Sequence, residues 1–123
     1  MLIIRKEQMD TLGGQMQKRY EDRLVVYLNQ VFPERCAKMG EPALREEIRY
    51  GIGSAAKYDI TTERDVAKYI ETMFRLGRDF DTNPDHPWAQ PILTDRSSSA
   101  ENRLRRITFA ANRQQQPQRR PHI

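Results

Sequence analysis

The feature that most constrains the fold is the segment from Thr61 to Gly77, which has the pattern of an amphipathic helix with defined ends. Thr61 or Thr62 can accept a hydrogen bond from a first-turn amide, and the acidic residues that follow suit the positive end of the helix dipole. Gly77 supplies a left-handed residue where the helix would end. The apolar residues recur at offsets of three and four, which predicts one buried stripe. This stripe consists of Val66, Ala67, Ile70, Met73 and Phe74.

The segment from residue 79 to residue 88, here called the corner, follows that helix and ends at the only tryptophan. Its aromatic residues are too apolar for a free loop and its prolines make it stiff, so we expect it to pack back on the helices. Two alternatives follow: Phe80 and Trp88 are buried and the aspartates bind backbone amides, or Trp88 is exposed as part of a binding surface. We favour the buried form. The residues assigned to this structural role are Asp79, Phe80, Asp81, Pro84, Pro87 and Trp88.

Four further segments have helical periodicity, and no segment shows the alternation of a strand. We expect a long helix over 6–32, weakened at Gly13 and Gly14, a short one over 33–39 and another over 42–58. The last would span 100–112, capped by a serine of 97–99, with Leu104, Ile107 and Phe109 as its apolar residues. The small residues of 51–56 would let the helix after Thr62 approach closely. The predicted fold is therefore all-α, a small bundle of four to five helices.

The charge of the chain is concentrated near its C-terminus. The net charge is +4, yet residues 103–123 carry six arginines and no acid, which leaves 15 basic residues against 17 acidic ones elsewhere. The body is thus near neutral, and we expect a helical domain over 1–112 followed by a disordered basic tail over 113–123. A single cysteine, Cys36, fits a reducing compartment, and the apolar run at the N-terminus is too short to span a membrane. We therefore expect a cytoplasmic protein.

The chemistry-bearing residues do not form a complete catalytic or metal-binding pattern. Asp79, Asp81, Asn83 and Asp85 alternate as in a calcium loop, but proline and glutamine occupy the positions that should hold glycine and a bidentate glutamate. His86 lies beside Asp85 and could act as a base, but the sequence indicates no nucleophile as its partner. Packing of His86 on Trp88 explains its position equally well. We expect no metal, no cofactor and no enzymatic activity, and we regard the acidic loop as a turn.

A nucleic-acid partner is a weaker alternative. Residues 48–69 could form a helix–turn–helix, but the second helix would begin with two acidic residues that phosphate repels. The arginines near the C-terminus are better support, since clustered arginines bind phosphate without sequence preference. They are Arg103, Arg105, Arg106, Arg113, Arg119 and Arg120.

A protein partner fits a helical bundle better, because bundles bind through grooves and exposed aromatic side chains. Tyrosine combines a large contact area with a polar tip, so all five tyrosines, which include Tyr20 and Tyr27, are candidates. For each of them, a position at the edge of the core is the alternative. The contact residues that we assign to a protein partner are Tyr50, Tyr58, Tyr69, Arg103, Arg105 and Arg106.

Residues 1–95 resemble small standalone helical proteins that accompany type VI secretion effectors and spike-tip (PAAR-type) genes in Gram-negative bacteria. The most recognisable part is the run MF-x-x-G-x-DFD-x-x-P-x-x-PW, which extends from Met73 to Trp88. The resemblance implies an accessory role, as an adaptor, chaperone or co-chaperone that binds an effector, a spike-tip protein or a loading protein in the cytoplasm. An immunity role, in which the chain inhibits a toxin, stays an alternative. The tail after Asn102 lies outside the resemblance.

Overall fold

The computed structural model describes residues 13–115, with the side chains of residues 17–114, and contains six helices in that range. The predicted all-helical class is confirmed. The helices are α1 (Gly13–Val31), α2 (Pro33–Met39), α3 (Glu41–Ala56), α4 (Glu63–Leu76), α5 (Ala89–Leu93) and α6 (Ala100–Gln115). Residues 6–12 of the predicted first helix lie outside the described range, and α5 occupies a stretch predicted as loop. The chain separates into two compact units between Arg78 and Asp79.

The ends of α4 follow from the residues predicted to set them. Thr62 has an extended backbone, and its hydroxyl accepts a hydrogen bond of 3.2 Å from the amide of Asp65. At the other end, the amide of Gly77 donates to the carbonyl of Met73 over 2.8 Å. Gly77 has a φ of 116° and a ψ of 155°, a conformation that a residue with a Cβ rarely adopts. Both predicted helix signals are therefore confirmed.

The turn between α3 and α4 places an aspartate where glycine is usual. Asp59 has a φ of 58°, its amide donates to the carbonyl of Ala56, and the amide of Ile60 donates to the carbonyl of Ala55. This pair of bonds is a Schellman motif, and Asp tolerates the left-handed conformation better than most residues. Ile60 is fully buried and anchors the turn.

Close contact between α3 and α4 forms the centre of the first unit. A Cβ built on Gly51 would lie 2.5 Å from Cγ1 of Ile70 and 3.0 Å from the sulfur of Met73, so glycine is required there. A Cβ on Gly53 would meet nothing within 4 Å. The predicted close approach is confirmed at Gly51. The apolar face of α3 is buried and includes Leu44, Ile48, Ile52 and Ala55.

A buried carboxylate joins α1 to α3. Glu21 is 3% exposed, and its oxygens accept hydrogen bonds from Arg49 at 3.1 and 3.3 Å and from Gln17 at 2.8 Å. Arg45 lies 3.5 Å from Glu21 and 2.7 Å from the carboxylate of Asp22. The bond from Arg45 is the main reason that the pKa of Asp22 is lowered. This network holds two helices together and was not anticipated from the sequence.

The second unit consists of the corner, α5 and α6. Leu93 in α5 and Leu104 and Ile107 in α6 are buried, while Phe109 is 63% exposed, contrary to its expected place on the apolar face. Helix α6 begins with a cap from Ser99, whose hydroxyl accepts from the amide of Asn102 over 3.1 Å. It ends at Gln115, so residues 113–115, predicted as tail, are helical. The predicted disorder of residues 116–123 lies outside the described residues.

Candidate functional site: a groove between α1 and α4

An open groove of about 680 Å³ runs between α1 and α4. Both of these helices pack more extensively on α3 than on each other, which leaves the space between them unfilled. The residues around it come from these two helices alone, in the part of the chain that the structure describes. They are Tyr20, Arg23, Leu24 and Tyr27 from α1 and Glu63, Arg64, Ala67, Lys68 and Glu71 from α4.

Two tyrosine hydroxyls bridge α1 and α4 at opposite ends of the groove. The Tyr20 hydroxyl donates to the carbonyl oxygen of Glu63 over 2.7 Å, and the Tyr27 hydroxyl donates to Oε1 of Glu71 over 2.7 Å. The earlier residue of α1 contacts the earlier residue of α4, and the later residue contacts the later one. The two helices therefore run parallel. Burial raises the pKa of Tyr20, and the bond to Glu71 raises the pKa of Tyr27 to about 12. Both phenols therefore remain protonated donors at neutral pH.

The floor of the groove is apolar between these bridges. Leu24 is buried and Ala67 is half-buried, and the single methyl group of Ala67 leaves room above it. Further along α1, Tyr27 and Val31 are each 39% exposed and lie one helical turn apart on the face that bears Leu24. An exposed run of this kind on one helix is suited to contact with another apolar surface.

The rim of the groove is charged. Arg23 forms an ion pair of 2.5 Å with Glu63, and Glu71 accepts the bond from Tyr27, so both carboxylates are engaged by α1. Lys68 is exposed, and its ammonium group forms no ion pair with any residue that the structure describes. Three cations and two carboxylates surround the groove, which leaves a small positive excess.

Two of the tyrosines assigned to a binding surface are in the core, and that assignment is wrong for them. Tyr69 is fully buried, with its hydroxyl 2.8 Å from the hydroxyl of Ser54, and Tyr58 is 6% exposed with its ring centroid 6.3 Å from that of Tyr69. Tyr50 is exposed, but its ring is covered by the guanidinium of Arg78 at 4.0 Å. The tyrosines at the groove are Tyr20 and Tyr27, which were candidates without being preferred.

The arginines assigned to a binding surface also have structural roles. Arg103 is 4% exposed and donates to the carbonyls of Leu93 over 2.6 Å and Ser98 over 3.2 Å, so it joins α5 to α6 and cannot bind a partner. Arg106 is exposed and forms an ion pair of 2.9 Å with Asp95. Arg105 is exposed and contacts residues of its own helix.

Arg113, an alternative phosphate contact, lies with its guanidinium 5.8 Å from the ring centroid of Phe109. Arg119 and Arg120 lie outside the described residues. Of the six arginines proposed to contact nucleic acid, only Arg105, Arg106 and Arg113 are therefore seen at the surface.

The corner is partly buried and contains a turn, as predicted. Phe80 and Asp81 are buried, whereas Asp79, Pro84 and Pro87 are exposed. The side chain of Asn83 accepts from the amide of Asp85 over 2.8 Å, which confirms the predicted turn. Trp88, expected to be buried, is half-buried, and its ring centroid lies 5.4 Å from that of His86.

Gln114, predicted to lie in a disordered tail, instead fastens the corner to α6. Its amide nitrogen donates to the carbonyl of Asp85 over 2.9 Å, and its amide oxygen lies 2.9 Å from Nδ1 of His86. The prediction failed because it was based on composition, which carries no information about a partner 28 residues away.

Among the described residues, no group of three or more histidine, cysteine, aspartate or glutamate side chains is placed to hold a metal ion. None of the described helices has the length and apolar character needed to cross a bilayer. Comparison of the chain with known proteins found no matching family model, no similar curated protein and no similar solved structure.

The sequence indicates that some residues of the groove are on apolar helix faces, but it does not indicate the groove itself. Ala67 lies in the apolar stripe of α4, and Leu24 and Tyr27 lie on the apolar face of α1. The pattern showed that these faces are apolar, but it could not show that α1 and α4 run parallel with an open space between them.

Proposed function

We propose that this protein is a non-enzymatic adaptor that binds a segment of another protein in the groove between α1 and α4. The observation that carries the proposal is the apolar floor over Leu24 and Ala67, which continues into exposed Tyr27 and Val31. Binding sites are typically concave and lined by apolar side chains with a few charged groups, as this groove is. A groove between two helices is also a recurrent recognition site for peptide segments.

The finer part of the proposal is that the partner is a secreted bacterial effector, a spike-tip protein or the protein that loads them. The support for this part is the resemblance of the Met73–Trp88 run to type VI secretion accessory proteins. An inhibitor of a toxin would use the same groove, so the identity of the partner separates the two roles. The nucleic-acid alternative has less support, because Arg103 is buried and Arg106 is engaged by Asp95.

The test is co-purification of the tagged full chain from its native host at native expression, with two matched variants. Ala67→Arg places a charged side chain in the floor of the groove, and Ala37→Arg places the same side chain on the exposed face of α2. Arginine is a good helix former, so both variants should keep the wild-type circular dichroism spectrum. We expect one stoichiometric partner with the wild type and Ala37→Arg, and its loss with Ala67→Arg.

Recovery of no stoichiometric partner, or of a partner that Ala67→Arg retains, would contradict the adaptor proposal. A partner that depends on the groove but is neither a secreted effector, nor a spike-tip protein, nor a loading protein would remove the secretion role and leave the adaptor role intact. A toxin that the purified chain inhibits would establish the immunity role instead.

A further inference from the structure

We infer that the occupant of the groove is an amphipathic helix with acidic flanks, which inserts one large apolar side chain above Ala67 and Leu24 and pairs a carboxylate with Lys68. This inference rests on the proposed function, because it specifies the chemistry of the partner that the groove would bind. The length of the groove, the shape of its floor and the charges on its rim all favour such an occupant.

The length of the groove matches a short helix. Along α1 it extends from Tyr20 to Tyr27, about 10 Å at 1.5 Å per residue, and along α4 from Glu63 to Glu71, about 12 Å. This accommodates two to three turns of helix, with apolar side chains at positions i, i+3 or i+4, and i+7. A helix seated there would contact both α1 and α4 and extend the bundle by one member.

The floor of the groove favours one large apolar side chain at the centre of that helix. Ala67 is the smallest side chain around the groove, and the tyrosine bridges to Glu63 and Glu71 lie on either side of it along α4. The space above Ala67 is therefore bounded along its length and has Leu24 as its apolar wall. A leucine or phenylalanine inserted there would be largely removed from water, which favours binding.

The rim favours acidic flanks on the occupant. The carboxylate of Glu63 is paired with Arg23, while that of Glu71 accepts a bond from the neutral Tyr27 hydroxyl and keeps its negative charge. The cations around the groove still outnumber the carboxylates by three to two. Lys68 on α4 is exposed and has no ion pair among the described residues, and Arg23 on α1 stays 58% exposed despite its ion pair. Complementary charge at such positions fixes the register and selects the partner more than it adds affinity.

The test is a selection from a displayed library of helical peptides of about 16 residues, four to five turns, against the full-length chain. The library keeps a helical frame and randomises both its apolar and its charged positions. We expect the selected peptides to carry a central leucine or phenylalanine and to be enriched in aspartate and glutamate on the flanks. Their affinity for the full chain should fall as the salt concentration rises.

Two variants and two matched controls then locate the binding. Ala67→Leu fills the space above Ala67 without adding charge and should weaken the selected peptides by about tenfold or more, the loss that corresponds to 1.4 kcal/mol. Lys68→Glu should weaken them about two- to fivefold, as expected for an exposed pair, and leaves the fold intact because the side chain is exposed. The controls Ala37→Leu and Lys38→Glu repeat the same pair of changes on the exposed face of α2 and should have no effect.

The outcomes separate this inference from the adaptor proposal. The selected peptides could lose affinity for Ala67→Leu but lack acidic flanks and bind Lys68→Glu as tightly as the wild type. That result would overturn the inference and leave the adaptor proposal standing. Peptides that are insensitive to Ala67→Leu would bind elsewhere and contradict both. Recovery of no binding helix from the library would overturn the inference as well.

Discussion

Gly51 shows how one residue determines the spacing of two helices. Alanine at this position would place its Cβ 2.5 Å from Cγ1 of Ile70, a distance that packed atoms do not adopt, and Ile70 is fully buried in the core. We expect Gly51→Ala to lower the free energy of unfolding by about 1–3 kcal/mol, the usual cost of overpacking, despite the better helix propensity of alanine. Urea denaturation followed by circular dichroism measures this change.

Gly53 is the matched control for Gly51, because it lies in the same helix with nothing within 4 Å of a built Cβ. Gly53→Ala should raise the free energy of unfolding by up to about 1 kcal/mol, since it removes only the entropy cost of a helical glycine. If the two variants changed stability by the same amount and in the same direction, close contact at Gly51 would not be the cause.

At the scale of helices, the contact between α1 and α3 depends on Glu21. Its buried carboxylate receives Arg49, Arg45 and Gln17, so Glu21→Ala would leave these donors without their acceptor. Removing one partner of a fully buried pair costs about 3–5 kcal/mol. Arg49 is 53% exposed and regains water, so we expect a smaller loss of about 1.5–3 kcal/mol in the free energy of unfolding.

The control for Glu21→Ala is Glu46→Ala, at an exposed position of α3 without an ion pair to any described residue. It makes the same chemical change and should alter the stability by less than about 0.5 kcal/mol. A Glu21→Ala variant as stable as Glu46→Ala would show that the network does not hold α1 on α3.

The helices themselves were largely predictable because their signals are local. Thr62 and Gly77 define α4, and Pro33 and Gly40 define α2, through the backbone conformations that these residue types favour. Predictions based on composition or spacing were wrong where a contact with a distant part of the chain decides whether a residue is ordered or buried. Gln114 is ordered by the corner, and Phe109 is exposed although its spacing is that of a core residue.

The groove could not be predicted for a related reason. A period of three to four residues shows which face of a helix is apolar, but not which neighbour covers it. The faces of α1 and α4 that bear Leu24 and Ala67 would have the same sequence pattern in a closed bundle. The parallel arrangement is visible only in contacts between residues more than 40 positions apart, Tyr20 with Glu63 and Tyr27 with Glu71.

At the scale of the whole molecule, the division between Arg78 and Asp79 separates two compact units. The first unit holds α1 to α4 and the groove, and its core residues come from several helices that contact one another. The largest of its fully buried side chains are Tyr69, Leu28, Leu44, Ile48, Ile60, Ile70 and Met73. A core supplied by several packed helices is the usual requirement for a unit that folds independently.

We therefore expect a fragment of residues 1–78 to remain helical and to unfold cooperatively in urea, with a slope of about 1 kcal/mol per molar, as for a small domain. The measurement is circular dichroism at 222 nm across a urea titration, on the fragment and on the full chain. The control is a fragment of residues 1–60, which lacks α4 and with it Tyr69, Ile70 and Met73, and should show no cooperative transition because α3 loses its main contact. A broad, non-cooperative loss of signal from residues 1–78 would mean that this unit does not fold alone, whereas a cooperative transition would show that the groove belongs to a self-sufficient module.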